Sequence, residues 1–270
     1  PNTVCINVAH LEKAITNRTK GVIVVHLGGL VCPEIDEIAK ICRERNVFLI
    51  EDAAHAHGSL HEGHAAGSFG DVGCYSFYPT KVMTTAEGGM VVTDEEKIAR
   101  KAKVLRDQGK RDFSGNDIIE LGYNWRINEI SAAIGSTQLK RLPEIVKGRN
   151  RIAKIYDWGL ARSSHLSLLK IPTGDVCNYY KYVLFLRRGL DRDKFKQNLR
   201  EKGVSPTGEV YWPPLHLQPI YRKLLGTSPG DFPVSEDHCS RMVCLPIYPQ
   251  LSEEEAQYVV ESTLSVVREM

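Results

Sequence analysis

Gly21-Val22-Ile23-Val24-Val25-His26 and Val47-Phe48-Leu49-Ile50-Glu51-Asp52 bracket the segment that decides the fold. Both carry apolar, β-branched runs of strand length. Between them Pro33 opens a helix in which Ile35, Ile38, Ala39 and Cys42 stand 3, 4 and 7 residues from the first, forming one apolar stripe. The far end of this helix is basic, with Arg43 and Arg45, as a helix C-terminus favours. Strand, helix and strand at these lengths make a βαβ unit with parallel pairing and a right-handed crossover. The unbroken apolar run from Val22 to Val25 predicts a strand buried on both faces.

Working outward, Leu11 to Ile15 reads as a short helix, and Val72 to Ser76 and Gly89 to Val92 as two further strands. Thr93 followed by Glu96 reads as a capping box for a helix running to about Leu105. Lys110 to Asn116 is a charged, glycine-containing loop. Ile127 to Leu142 is a helix; Pro143 is expected to end it and Glu144 to Leu160 to form a second one. After Ala161 the character changes. Ser163 to Ser167 and Pro172-Thr173-Gly174 look like linkers, Tyr179 to Leu186 is a strand, and Asp191 to Lys202 a helix. Val204 to Pro219 is a proline-rich crossing, and Ser252 opens a last helix with an acid-rich first turn. The expectation is an α/β protein with a mostly parallel sheet over residues 1–160 and a small C-terminal α+β domain over 161–270. The chain enters the β/α pattern almost directly from Pro1, so the large domain is expected to be N-terminally incomplete.

Composition narrows the function classes. A chain of 270 residues with 42% hydrophobic and 25% charged residues is an ordinary soluble globular protein. A net charge of +2 gives no basis for nucleic acid partners. No run is long enough to span a bilayer, and no signal-peptide pattern stands at the N-terminus. The seven cysteines are dispersed and form no Cys-x-x-Cys pair, which points to reduced thiols in a cytoplasmic protein.

Chemistry concentrates within thirty positions. Asp52 stands at the carboxyl end of a strand, and Lys81 follows in Ser76-Phe77-Tyr78-Pro79-Thr80-Lys81, ahead of the turn Glu87-Gly88-Gly89. Pyridoxal phosphate requires a lysine for its aldehyde, an acid for its ring nitrogen and hydroxyls for its phosphate. The neighbours of Lys81 (Phe77, Tyr78, Met83, Thr84, Thr85) are apolar or hydroxyl-bearing, unlike those of a solvated surface lysine.

Several motifs in order resemble the DegT/DnrJ/StrS family of sugar aminotransferases: His26-Leu27-Gly28-Gly29, Glu51 to Gly58, Gly70-Asp71, Ser76-Phe77 with Lys81, Glu87 to Met90, Gly122-Tyr123-Asn124-Trp125-Arg126, Gln138-Leu139 and Leu245-Pro246-Ile247. The resemblance covers essentially the whole chain. It implies a fold-type I pyridoxal-phosphate core and transfer of an amino group from an amino acid, glutamate in the family, to a nucleotide-linked keto sugar, as in polysaccharide biosynthesis. It implies that Lys81 binds the cofactor aldehyde and shuttles a proton, that Asp52 meets the ring nitrogen, and that Ser76 meets the phosphate. It places His55 by the ring. Asn124 would reach the phosphate of a neighbouring subunit, so that a homodimer shares its active sites. Arg126 is an alternative phosphate or carboxylate contact. Tyr211 and His216 lie in a segment resembling the one that closes over the substrate. The missing N-terminal region would supply a backbone cradle for the phosphate and a ring-stacking residue. A dehydratase branch carries histidine where this chain has Lys81. The rival readings are that dehydratase or lyase chemistry, and a non-catalytic or regulatory homologue.

Other constellations carry less. His55, His57, His61 and His64 with Glu62 are dense enough to suggest zinc, but the spacing is not His-Glu-x-x-His and Gly58 and Gly63 mark a loop, so no metal is expected and His57, His61 and His64 read as loop residues. Cys74 and Cys239 do not stand in the exposed, electropositive loops of reactive thiols. The Gly-Gly pairs do not make a Gly-x-Gly-x-x-Gly nucleotide fingerprint.

Overall fold

A computed structural model of the chain describes residues 3–112, 114–206 and 211–270. Two compact units emerge. The first comprises Val4–Val146 with Ile171–Asn178; the second is built from Lys147–Lys170 and Tyr179–Met270.

The first unit contains α1 (Val8–Ala14), β1 (Gly21–Val25), α2 (Ile35–Glu44), β2 (Phe48–Asp52), a hairpin of β3 (Leu60–His61) and β4 (His64–Ala65), β5 (Val72–Ser76), β6 (Gly89–Val92), α3 (Glu96–Arg106) and the first part of α4 (Glu129–Leu160). The main sheet has the order β1-β2-β5-β6. β1, β2 and β5 are parallel, and β6 returns antiparallel to β5. The βαβ reading of residues 21–52 therefore holds, with Val24 paired to Glu51 and Val25 to Asp52. The stripe on α2 packs as the periodicity requires: Ile35, Ile38, Ala39 and Cys42 are all buried, against Val22, Val24 and Leu49 of the sheet.

β1 is not buried on both faces. Val22 and Val24 are covered, while Ile23 is 64% exposed. Helices α1 and α2 pack on one face of the sheet only, and among the described residues the face bearing Ile23, Phe48 and Val91 stays open.

Two local expectations are corrected. Thr93 does not cap α3: the N-cap is Glu95, without a side-chain bond. The Thr93 hydroxyl is spent elsewhere, donating to the Asp71 carbonyl at 2.6 Å and accepting the Glu95 amide at 3.1 Å. Pro143 does not end a helix, because α4 runs through it for 32 residues. An interior proline costs roughly 3 kcal/mol of lost hydrogen bonding and ring clash, and packing on either side of it offsets this. Leu142 and Val146 lie against Gly58. Farther along, Ile152, Ala153, Tyr156 and Leu160 are buried in the core of the second unit.

That second core also holds β7 (Leu166–Leu168), β8 (Tyr182–Leu186), α5 (Arg192–Glu201), α6 (Pro219–Leu225), α7 (Pro233–Arg241), β9 (Met242–Leu245) and α8 (Glu253–Glu269). Its sheet is antiparallel in the order β7-β8-β9. Ser252 and Glu255 close a capping box at the start of α8. Compactness thus divides the chain inside α4, not at residue 160. Pro172-Thr173-Gly174 also belongs to a segment that returns to the first unit, where Leu60 and Val176 exchange backbone hydrogen bonds of 2.8 and 2.9 Å.

Candidate active site

Sheet register decides what Asp52 can face. Asp52 pairs with Cys74 across β2 and β5. Strand side chains alternate, so Asp52, Cys74 and Ser76 project from one face at the carboxyl ends of their strands, and Glu51 projects from the other. Burial pushes the Cys74 thiol up, and the negative charge of Asp52 beside it acts in the same direction. The Asp52 carboxylate also accepts the Ala54 amide at 3.1 Å.

Glu51 secures this strand end from behind. Its Oε2 accepts His26 Nε2–H at 2.8 Å and the Gly67 amide at 2.7 Å; its Oε1 accepts the amides of Phe69 and Gly70, each at 2.6 Å. The Nδ1 of His26 accepts the Cys32 amide at 3.1 Å, which fixes the ring as the neutral Nε2–H tautomer. Burial opposes the Glu51 charge, but the His26 bond and the amides of Gly70 and Gly67 outweigh it and hold the carboxyl below its usual value.

Past Asp52 the chain coils back through short turns, with the Ala56 amide donating to the Ala53 carbonyl at 2.9 Å. His55 is buried, and its Nδ1 accepts the Gly28 amide at 3.3 Å, where Gly28 has φ 70°. The side-chain amide of Asn178 donates to the carbonyls of both His55 and His57, at 2.8 and 2.9 Å.

Lys81 sits on a loop closed at its neck. The Phe77 amide donates to the Gly88 carbonyl at 2.8 Å, and the Phe77 carbonyl accepts the Thr85 amide at 3.0 Å and the Thr84 hydroxyl at 2.9 Å. Buried Val82 and Met83 anchor the loop directly after the lysine. The Lys81 amide donates to the Tyr78 carbonyl at 3.0 Å, and Ser76 Oγ accepts the Tyr78 amide at 3.3 Å. Gly135 of α4 gives the loop room: a Cβ there would come within 2.8 Å of the Thr85 methyl.

His57 lies in a turn, as expected of a loop residue, but it is not solvated. It is 3% exposed, with its ring 5.2 Å from that of Tyr75 and 5.9 Å from that of Phe77. Neither ring nitrogen has a hydrogen-bond partner among the described residues. Burial pushes this imidazole down to about 4; the Ser76 backbone opposes that shift, and the charge on Lys81 adds to it.

The remaining candidates are dispersed. Asn124 is exposed and bridges to Asp107, and Arg126 is ion-paired with that same Asp107. In the second unit Tyr211 is 55% exposed. His216 Nε2 lies 2.9 Å from Glu236 Oε1, with its ring 4.8 Å from Phe232. Residues 207–210 of the proline-rich crossing lie outside the described residues. Among the described residues no three His, Cys, Asp or Glu side chains converge as a metal site. His61 is engaged by carboxylates, at 2.8 Å from Asp175 and 3.4 Å from Asp36.

A carboxylate and a serine hydroxyl on one sheet face, a lysine on a tied loop after that strand, and an unpartnered imidazole within reach of the lysine's charge form a donor set that fits pyridoxal phosphate. The comparisons agree. The family model for DegT/DnrJ/EryC1/StrS aminotransferases matches residues 1–264. The chain is 40% identical to the uncharacterized protein MJ1066 of Methanocaldococcus jannaschii, over 98% of this chain and 71% of that protein. It is 33% identical to the GDP-perosamine synthase of Escherichia coli O157:H7, over 95% of this chain and 68% of the relative. Helicobacter pylori PseC, an aminotransferase involved in the biosynthesis of pseudoaminic acid, superposes with a TM-score of 0.93 at 28% identity, over 100% of this chain and 72% of that one. The protein belongs to the DegT/DnrJ/EryC1/StrS aminotransferase family, whose members are pyridoxal-phosphate-dependent enzymes.

Proposed function

We propose that this chain transfers the amino group of an amino acid, glutamate, to a keto sugar carried on a nucleotide. The observation that carries the reading is the placement of Asp52 and Ser76 on one face at the strand ends, with the Lys81 loop leaving the same strand. Family membership and the nucleotide-sugar relatives support it. Lysine at position 81, where the dehydratase branch resembled above has histidine, favours amino transfer over dehydration.

When bound, pyridoxal phosphate supplies an electron sink for the pair left as a Cα proton departs. Asp52 keeps a proton on the ring nitrogen by setting a carboxylate against it. Ser76 Oγ donates to the phosphate. His55, whose Nδ1 accepts the Gly28 amide, would stand beside the ring. Lys81 Nζ would hold the aldehyde of the cofactor and, as a free amine, would move a proton away from the donor's Cα and back. The same amine serves both half-reactions, because the second reverses the first on the keto sugar.

Asn124 reaches the phosphate of a second copy in this reading, so the enzyme is a homodimer. In support, Leu121 (95% exposed), Trp125 (66%) and Ile130 (76%) form an apolar stretch around it. Arg126, held by Asp107, braces that stretch. Tyr211, 55% exposed, and His216, bonded to Glu236, remain the two candidates for sugar contact. Seven cysteines that are not joined in disulfides, and the nucleotide-bound acceptor, suit the cytoplasm.

Lys81→Ala tests the assignment. Borohydride treatment of the cofactor-loaded protein followed by peptide mass analysis should find the adduct at Lys81 in the wild type and none in the variant. The glutamate-driven change in cofactor absorbance should vanish with it. Normal turnover by Lys81→Ala would overturn the reading.

A further inference from the structure

Arg100, Lys103 and Arg106 of α3, Lys110 and Arg111 of the loop after it, and Arg126 line one cavity of about 590 Å³. That volume is in the range of small-molecule sites. Two carboxylates, Asp107 and Asp112, share the lining, and both are already engaged. Asp107 pairs with Arg126, and Asp112 accepts the amides of Ser114 and Gly115 at 3.1 and 2.7 Å. Arg100 pairs with Glu96, and Arg111 with Asp117. Lys103, Arg106 and Lys110 have no ion pair among the described residues.

The fold does not need these three charges. Basic residues often end a helix because they offset the partial charge of its last carbonyls. Here backbone amides meet that need: the carbonyls of Val104, Leu105 and Arg106 accept the amides of Gly109, Tyr123 and Trp125 at 2.9, 2.7 and 2.9 Å. Like charges three residues apart on a helix, as Lys103 and Arg106 are, repel. The loop cannot spread to relieve them, because the Gly109 carbonyl accepts the Ile119 amide and the Arg111 amide donates to the Asp117 carbonyl, each at 2.9 Å.

We propose that this cavity binds the diphosphate of the nucleotide that carries the acceptor sugar. A diphosphate brings compact negative charge and many acceptor oxygens. Guanidinium groups take such oxygens in pairs, and ammonium groups take them as point charges. The cavity also adjoins the Lys81 loop through one side chain. Ile127 lines it, and Ile127 Cδ1 would stand 3.4 Å from a Cβ on Gly88, whose carbonyl closes the neck of that loop. Assigning the diphosphate to the acceptor rests on the proposed amino transfer, and deepens it by naming where the acceptor is held.

Binding, not turnover, is the test. The cofactor-loaded chain is titrated by calorimetry with UDP, GDP, dTDP and, separately, sulfate. At least one nucleoside diphosphate should bind at concentrations where sulfate does not. Lys103→Glu and Arg106→Glu, both at exposed positions, should each weaken that binding about tenfold or more, since a hydrogen bond to a charged group is worth about that factor. Lys97→Glu makes the same change of charge on the same helix outside the cavity and should keep the wild-type affinity. No nucleoside diphosphate bound, sulfate bound as tightly, or an equal loss in Lys97→Glu would overturn the proposal. The glutamate-driven change in cofactor absorbance should be unaltered in Lys103→Glu. Its absence from the wild type would overturn the amino-transfer reading, whereas a diphosphate held by the wild type and lost in Lys103→Glu would still establish the site.

Discussion

His26 and Glu51, both fully buried, are joined at 2.8 Å on the face of the sheet opposite Asp52. The pair is not isolated: each carboxylate oxygen of Glu51 receives two N–H groups. A carboxylate can accept this many donors, and a neutral amide cannot. The candidate catalytic acid is therefore presented by a strand whose preceding residue is fixed from four directions.

Glu51→Gln tests that clamp. Whichever way the amide is turned, its NH2 meets two donors, so a buried pair is broken and new repulsion is added. The expected loss is about 3 kcal/mol of unfolding free energy at pH 7, read from urea or guanidinium midpoints. The pH dependence has a definite sign. The folded-state value of Glu51 lies below its unfolded value of 4.5, so its contribution is complete above pH 4.5 and is lost as pH falls through the folded value. The gap between wild type and variant should narrow below pH 4.5. A gap that is constant or widens there would show that the charge is not what stabilises the fold.

Gly73 supports the same clamp sterically. A Cβ at this position would stand 2.4 Å from the Gly67 carbonyl oxygen and 2.6 Å from its Cα. Both are backbone atoms, so no rotamer relieves the clash, and Gly67 is the residue whose amide binds Glu51. Gly73→Ala should lower stability by about 3 kcal/mol. It should also weaken cofactor binding, because Cys74, next in the strand, is paired with Asp52. Calorimetry and a cofactor titration check the two effects; a variant with wild-type melting temperature would contradict the packing argument.

What the sequence made legible was local. The βαβ unit follows from two apolar runs and the α2 stripe, whose four residues are all buried. Asp52, Ser76 and Lys81 lie within thirty positions, and the chemistry of one cofactor explains all three. What stayed hidden depends on partners distant in the chain. Pro143 lies inside a helix because side chains on either side of it are buried, and no local propensity reports that. Thr93 abandons a cap for the carbonyl of Asp71, 22 residues earlier. The segment around Val176 returns to Leu60, and Asn178 to His55 and His57, across more than a hundred residues. His57 looked like one polar residue in a glycine-flanked loop because burial by Tyr75 and Phe77 is likewise non-local.

Asp52→Asn should separate electrostatics from fold. Asparagine is nearly isosteric and can still accept the Ala54 amide, so the turn after β2 persists. The negative charge against the ring nitrogen is lost, and with it the stabilisation of charge developing in the ring. Amino transfer in a single turnover with glutamate should slow by roughly 10²- to 10³-fold, while attachment at Lys81 remains detectable by borohydride trapping. An unchanged single-turnover rate would remove Asp52 from the mechanism.

The proposed homodimer makes Leu121 and Ile130 informative. At 95% and 76% exposure they are among the most exposed large apolar side chains in the first unit, and they flank the stretch that carries Asn124. Burying each such side chain contributes about 1.5–3 kcal/mol, and forcing a charge into a desolvated interface reverses the sign. The double variant Leu121→Glu, Ile130→Glu should therefore sediment as a monomer at concentrations where the wild type is a dimer. Its cofactor should dissociate more readily, because Asn124 would no longer reach the phosphate of a neighbour. Asn124→Ala should weaken cofactor retention without altering sedimentation. A double variant that is still dimeric would place the interface elsewhere on the chain, and Asn124→Ala with unaltered cofactor retention would remove Asn124 from the site.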